Sequence, residues 1–504
     1  MSLRFVWCLF LLLSFHTMKS QTPFKQSYDV LGDNFTKGYH TNTLDGGMIL
    51  NTRATNINGS NYFTIFKTDF NGDLQWSQRF IQPGNCGVSN IVQLPDSSYF
   101  FCFVELNFPE KYYITHLDKN GILMYCKSLT PPPNFIIAFD PQCIVKPDGN
   151  VYVASDLHNL TTGMYGWHLF EVDIAGNIVF SICYNGGSLK CLERGYTRCS
   201  NGDLLMTGYQ RDSVAMHFGP VITRIDSDGV MLWSKLYLDT VTNITGISIA
   251  EMNNGHIVVT GSHTTPGNEI VRLETDANGN LLRAREYGNS ISGLSPYTAM
   301  KAENNTLLIF GTADSGSFCL KLDSLGFVLH AEKFQWIVPN RINLHGANQY
   351  SFGGVDSQTN YATIFTTDTA LSSCFGNSIS IDTGSIRFQT SNINYFYSVP
   401  LYDTAFPLVD TLWPGVNSKV CGPIGIDEIV SYHSVTVFPN PAASSLYINS
   451  DSPVKLIRIF NLQGAVVTEQ EEKTEIDISS LAKGMYISEV TNTRGITRIK
   501  FVVQ

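Results

Sequence analysis

Two short runs carry oxygen-bearing side chains at spacings that could cradle a hard cation: Asp226-Ser227-Asp228-Gly229 and Asp69-Phe70-Asn71-Gly72. A calcium loop of that type closes on a carboxylate at its twelfth position. Here those positions hold Tyr237 and Phe80, so the runs are read as turns. His158, His168, His217, His256, His263 and His345 are scattered, with none of the paired spacing that sets two imidazoles on one helix face, and read as surface or turn histidines. Cys183, Cys191 and Cys199 stand eight apart with no Cys-x-x-Cys pair, which argues against zinc. No nucleophile elbow and no glycine-rich phosphate loop occurs. The sequence therefore assigns no catalytic residue, cofactor or metal ligand, and a non-enzyme is the expectation. Trp76 and Trp233 could be carbohydrate platforms, but Tyr125 and Phe180 occupy the same place in a repeat, so packing is the expected role.

That repeat sets the elements. The phrase Asp69-Phe70-Asn71-Gly72-Asp73-Leu74-Gln75-Trp76 returns at Asp118 to Gly121 with Tyr125, at Asp173 to Gly176 with Phe180, and at Asp226 to Gly229 with Trp233. Looser copies stand at Gly279 and at Asp323 to Gly326. Eight residues after each glycine comes Phe80, Leu129, Tyr184, Tyr237, Tyr287 or Phe334. A second phrase, a polar turn before an apolar run, interleaves with it, as in Asp45-Gly46-Gly47 before Met48-Ile49-Leu50, and has seven copies ending weakly at Asn348-Gln349-Tyr350. Asx-Gly pairs between apolar runs are hairpin signals, because both residues tolerate the positive φ of tight turns.

Four short strands per period of roughly fifty residues is the blade of a β-propeller. Seven turn phrases predict seven blades. Phe24-Lys25-Gln26-Ser27-Tyr28 has the aromatic spacing of Trp76 to Phe80, so the mature N-terminus is expected to supply the outer strand of the last blade and close the ring. The phrase resembles the blade motif of quinoprotein-like secreted propellers, with the glycine one place earlier; such folds host many functions. The longer connections, at Asn107 to Lys111, Pro131 to Pro141, His158 to Trp167 and Gln210 to Pro220, are where binding is expected.

The totals agree with an all-β chain. Of 504 residues only 15% are charged, 12% are aromatic, and Gly and Pro number 41 and 20. A net charge of -10 argues against a nucleic-acid surface. Arg4, the apolar run Phe5 to Phe15 and a polar stretch up to Ser20 and Gln21 form a secretory signal, with cleavage expected between those two. No later apolar stretch is long enough to span a membrane, so a soluble monomer is expected. Residues 373–432 break the period and read as a β-rich spacer and linker, bracketed by Cys374 and Cys421, whose bridging would close a long loop.

The tail opens on a strand running into Pro439-Asn440-Pro441, passes a turn at Gly464, then Leu481-Ala482-Lys483-Gly484-Met485-Tyr486, and ends on Lys500 before a β-branched C-terminus. Seven short strands there make a small, Ig-like β-sandwich. Residues 433–504 closely resemble the type A sorting domain of Bacteroidota type IX secretion cargo. That resemblance implies passage through the periplasm, recognition of the tail by the outer-membrane translocon, and display on the cell surface or release. The domain expectation is a signal peptide at 1–20, a seven-bladed propeller at 21–372, the spacer at 373–432 and the sorting domain at 433–504. The leading functional expectation is a ring that binds an extracellular glycan or protein; the alternatives are an extracellular hydrolase with a site assembled from loops, and a structural surface component.

Overall fold

Aspartate or asparagine with glycine marks most of the tight turns, and the strands between are short and apolar enough to be buried on both faces. In the computed structural model they pair into seven antiparallel sheets arranged in chain order, followed by two smaller sheets near the C-terminus. The structure describes residues 23–504 apart from 30–32, 57–60, 82–85, 139–140, 189–190, 212–216, 240–241, 264–268, 289–292, 314–315, 335–336, 346–348, 357–360, 372–375, 379–380, 388, 393–395, 399–401, 406–409, 413–415, 422–434, 451, 462–465, 472 and 493–494. Two compact units result, divided between Pro423 and Ile424.

Blade 1 runs Asp33–Asn42, Met48–Asn56, Asn61–Thr68 and Leu74–Ile81 from the inside outward, and blades 2 to 6 repeat that order. In blades 2 and 3 the inner position is filled by two short pieces, Cys86–Val88 with Val92–Gln93 and Phe135–Ile137 with Gln142–Val145. Blade 7 has three strands of its own, Ile337–His345, Gln349–Asp356 and Tyr361–Asp368, and its fourth is Lys25–Asp29 from the N-terminus. Lys25 and Asp356 form a largely buried ion pair at 3.0 Å. A separate apolar cluster fills each of the seven blade-to-blade interfaces. The one closing the ring sets Phe24, Tyr28 and Val355 of blade 7 against Phe35, Met48 and Phe66 of blade 1.

The recurring phrase has a specific packing role. Each turn aspartate accepts backbone N–H groups two and four residues on, as Asp226 does from Asp228 (3.0 Å) and Val230 (2.8 Å), which fixes the tight turn. The glycine then sits at positive φ, +82° at Gly229 and +74° at Gly279, and presents its bare Cα to the preceding blade. A Cβ on Gly279 would lie 2.8 Å from Trp233, and one on Gly72 2.6 Å from Phe24. The aromatic eight residues after each glycine completes the joint where it is tyrosine: Tyr184, Tyr237 and Tyr287 donate to the carbonyls of Gly229, Gly279 and Gly326 in the next blade. Tyr28 donates likewise to Gly72 at 2.7 Å, so the N-terminal strand packs on blade 1 as an ordinary fourth strand does on its neighbour.

That strand is not the outermost one, and the segment expected as a spacer does not stand apart from the ring. Residues 376–421 travel backwards around it and lay a fifth strand on every sheet, in the order of blades 6, 5, 4, 3, 2, 1 and 7. Gly376, Thr383, Thr390, Phe396, Asp403, Asp410 and Asn417 pair with Phe334, Tyr287, Tyr237, Tyr184, Leu129, Phe80 and Tyr28. The belt thus meets each blade at the same repeat position and advances one blade every seven residues, six at one step. The fourth strands would otherwise expose seven rows of unpaired backbone groups, and the belt satisfies part of each row. It ends at Cys421, in register with Lys25. Cys374 lies outside the described residues.

The C-terminal unit is a sandwich of a three-stranded and a four-stranded sheet. Its core holds Leu446, Ile457, Ile459, Ile476, Val490 and Phe501. Leu446 and Ile448 alternate with exposed Tyr447 and Asn449, the period expected of a strand with one buried face.

Candidate functional site

Antiparallel connectivity puts the tight Asp-Gly turns on one face of the ring and the longer connections on the other. The inner strands line a central channel of about 900 Å³. Five of them are bulged at corresponding positions, where the register slips between Phe35 and Lys37, Glu193 and Gly195, Gly246 and Ser248, Pro296 and Thr298, and Pro339 and Arg341. A bulge leaves one residue outside the ladder and re-aims its side chain. At Tyr297 this turns a phenol that is 46% exposed toward the channel. Tyr39, Tyr196, Gln142, Asn343 and Arg198 also line it.

Side-chain to backbone bonds between neighbouring blades hold this wall. Asn90 brackets the backbone of Cys143, accepting its N–H at 2.8 Å and donating to its carbonyl at 2.9 Å. Ser248 does the same for Ala299. Arg198 donates to the Val145 carbonyl, and Tyr196 to Gln142. Among the described residues Glu251 is the one carboxylate in the lining, and it accepts the backbone N–H of Ser200 at 2.7 Å. Among the described residues the wall sets three tyrosines, the amides of Gln142 and Asn343, and the cations Arg198 and Lys301 among aliphatic side chains.

The other sequence candidates fall into structural roles. Asp69 and Asp226 spend their carboxylates on their own turns. Trp76 and Trp233 pack against Gly121 and Gly279 of the following blades. His168 is fully buried, bonded to Tyr112 and Ser181, and burial pulls it down to about 3. His345 stacks on Phe70. His158 stacks on Tyr165, and His256 pairs with Glu274. Cys183 and Cys199 are buried cysteines.

One grouping escaped the sequence. His263, Glu269 and Glu286 converge on blade 5, with His263 Nε2 3.2 Å from Glu286 Oε1. Burial raises the Glu286 carboxyl; His263 lowers it and Glu269 raises it further. Neighbouring strands supply these residues, so their chain spacing matches no motif. Only the register of the sheet brings them together.

In the tail, Pro439-Asn440-Pro441 binds the end of the chain. Asn440 accepts the N–H of Val502 at 3.0 Å, Ala442 donates to the Val502 carbonyl, and Gln504 donates to Ala442. The prolines remove backbone donors there, and the asparagine amide substitutes for a strand partner. Tyr486 donates to the Ala482 carbonyl, which draws the Leu481 to Gly484 turn onto its own strand. Lys500 is exposed at the last strand. Gly464, Ser20 and Gln21 lie outside the described residues. Residues 436–504 match the model of the secretion system C-terminal sorting domain. The chain ends in a type IX secretion sorting domain. This tail marks the protein for export to the cell surface or the medium. Among the described residues no helix is long and apolar enough to cross a membrane.

A search of the curated proteins finds no match to this chain. Among solved structures it is similar to PorZ, described as an essential bacterial surface component of the type IX secretion system of Porphyromonas gingivalis, at 11% identity and a TM-score of 0.37. The match covers 90% of this chain and 58% of PorZ. It is also similar to a protein of unknown function from Dyadobacter fermentans, at 10% identity and a TM-score of 0.37, covering 69% of this chain and 98% of that one. A third is the GH93 α-L-arabinofuranosidase of Fusarium graminearum, at 11% identity and a TM-score of 0.42, covering 57% and 94%. At such scores these likenesses carry no argument about substrate or mechanism.

Proposed function

We propose that this type IX secretion cargo carries a ligand-binding ring, and that its central channel takes an extracellular glycan. In this reading a signal peptide leads the chain into the periplasm, the tail engages the outer-membrane translocon, and the ring works at the surface or in the medium. The observation that supports the channel as the site is its lining, which among the described residues sets three tyrosines, two amides and two cations around one carboxylate already bonded to backbone. Tyrosine offers an apolar face for a sugar ring and a hydroxyl for its polar edge. General acid and base catalysis of glycoside hydrolysis needs a second carboxylate across the scissile bond, and the described lining supplies one.

A glycan array probed with the secreted chain tests this. Binding that is abolished in Tyr297→Ala and weakened in Arg198→Gln is expected. Binding untouched by either variant would move the site off the channel. No glycan signal, with capture of a surface protein instead, would replace the glycan with a protein ligand.

A further inference from the structure

We propose that His263, Glu269 and Glu286 form a binding site for one divalent transition-metal cation, with Zn²⁺ the best fit, which staples the second, third and fourth strands of blade 5 at the loop face of the ring. Among the described residues this is the one group of histidine, cysteine and carboxylate side chains close enough to share an ion.

The sheet register builds the site. Ser262 pairs with Ile270, which puts His263 opposite Glu269 on the next rung, where the His263 N–H donates to the Glu269 carbonyl at 3.2 Å. Ile270 pairs with Tyr287, so Glu269 stands opposite Gly288, and Glu286 lies two residues from Gly288 on the same face. Across the next strand boundary Glu286 pairs with Gly384 of the belt. Both glycines leave room where a side chain would crowd the carboxylates: a Cβ at 288 would lie 3.3 Å from Glu269 Oε1, and one at 384 would lie 3.4 Å from Glu286 Oε2.

The donor set selects the ion. One imidazole nitrogen with two carboxylates suits zinc, whereas calcium and magnesium take oxygen alone. Bonds of 2.0 to 2.2 Å in a tetrahedron put ligand atoms about 3.3 to 3.6 Å apart. His263 Nε2 and Glu286 Oε1 already stand at 3.2 Å, and all three donors lie within 4.8 Å of one another. The imidazole side chain is only 9% exposed and that of Glu286 24%, so the group is partly withdrawn from water. Two carboxylates held together there repel, and a cation between them removes the repulsion.

The test uses the full chain stripped of metal by a chelator and titrated with ZnCl₂ in a calorimeter, with CaCl₂ as comparator and thermal melts in parallel. One zinc per chain is expected, with a raised melting temperature and no calcium response. Replacing an outer partner of a metal ligand typically costs 10- to 100-fold in affinity. Losing a ligand in His263→Asn or Glu269→Gln should cost at least about tenfold and abolish the thermal shift. Circular dichroism of the metal-free variants separates loss of the site from loss of the fold. Absence of zinc binding by the parent chain overturns the proposal, as does binding of equal strength in both variants.

Discussion

Removing one aromatic ring, in Phe24→Ala, tests whether the N-terminal strand closes the propeller. The backbone of Phe24 is tied by its N–H to Thr366 Oγ1 at 3.0 Å and by its carbonyl to the Thr366 N–H at 2.8 Å, and alanine keeps both bonds. What disappears is a ring 1% exposed that covers Gly72 in the joint between blades 7 and 1. Phenylalanine to alanine at such a site costs about 3 to 5 kcal/mol, transfer and cavity together. At about 2.1 cal/mol/K per residue, a ring of roughly 400 residues unfolds with about 0.8 kcal/mol/K, so the melting temperature should fall by about 4 to 6 °C. Leu232→Ala, at a side chain 51% exposed on the fourth strand of blade 4, should move it by less than about 1 °C. Scanning calorimetry under reversible conditions compares the two. If Phe24→Ala melts with Leu232→Ala, the N-terminal strand does not close the ring in solution.

Four further outcomes follow from the same geometry. Gly279→Ala combines a φ of +74° with a Cβ 2.8 Å from Trp233, and should cost about 2 to 4 kcal/mol by chemical denaturation, part of it recovered by Trp233→Leu. His168, held neutral by burial at about 3, contributes its full stability above the unfolded value near 6.5 and loses it as pH falls. Between pH 6.5 and 4.5 the parent should lose about 2 to 3 kcal/mol more than His168→Gln, and equal losses would refute the burial argument. A chain ending before residue 433 should stay in the periplasm by cell fractionation. We also propose that Cys374 and Cys421 are bridged, which would fasten the belt near the strand that closes the ring; mass spectrometry of an unreduced digest should find the two peptides joined, and two free thiols would exclude the bridge.

Local chemistry wrote much of this fold into the chain. A turn needs its aspartate and its positive-φ glycine within four residues, so Asp226 to Gly229 announces a hairpin without reference to anything distant. The blade-to-blade joint was legible for a related reason: the aromatic four residues after the glycine in blades 1 to 4 meets the next blade's glycine, so one contact repeated around a ring becomes a period in the sequence. The N-terminal strand could be placed because Phe24 and Tyr28 keep that spacing. The sorting tail declared itself through Pro439-Asn440-Pro441, whose side chain and prolines act on one short stretch of backbone.

The belt carried a fainter signal. Asp382-Thr383, Gln389-Thr390, Asp403-Thr404 and Asp410-Thr411 recur at multiples of seven, but the interval is far shorter than a blade and its strands are only three to six residues long. No such run has a core of its own; each exists because a fourth strand offers it an open edge. The candidate sites were hidden for the same reason. His263, Glu269 and Glu286 meet through cross-strand register, and Tyr297 reaches the channel through a bulge. The sequence alone determined the turns, the ring of repeats and the exported tail, because each is encoded in residues close along the chain. Only the tertiary structure decided where residues 376–421 lie and which side chains converge, because pairing between distant strands sets those positions and leaves no local spacing to read.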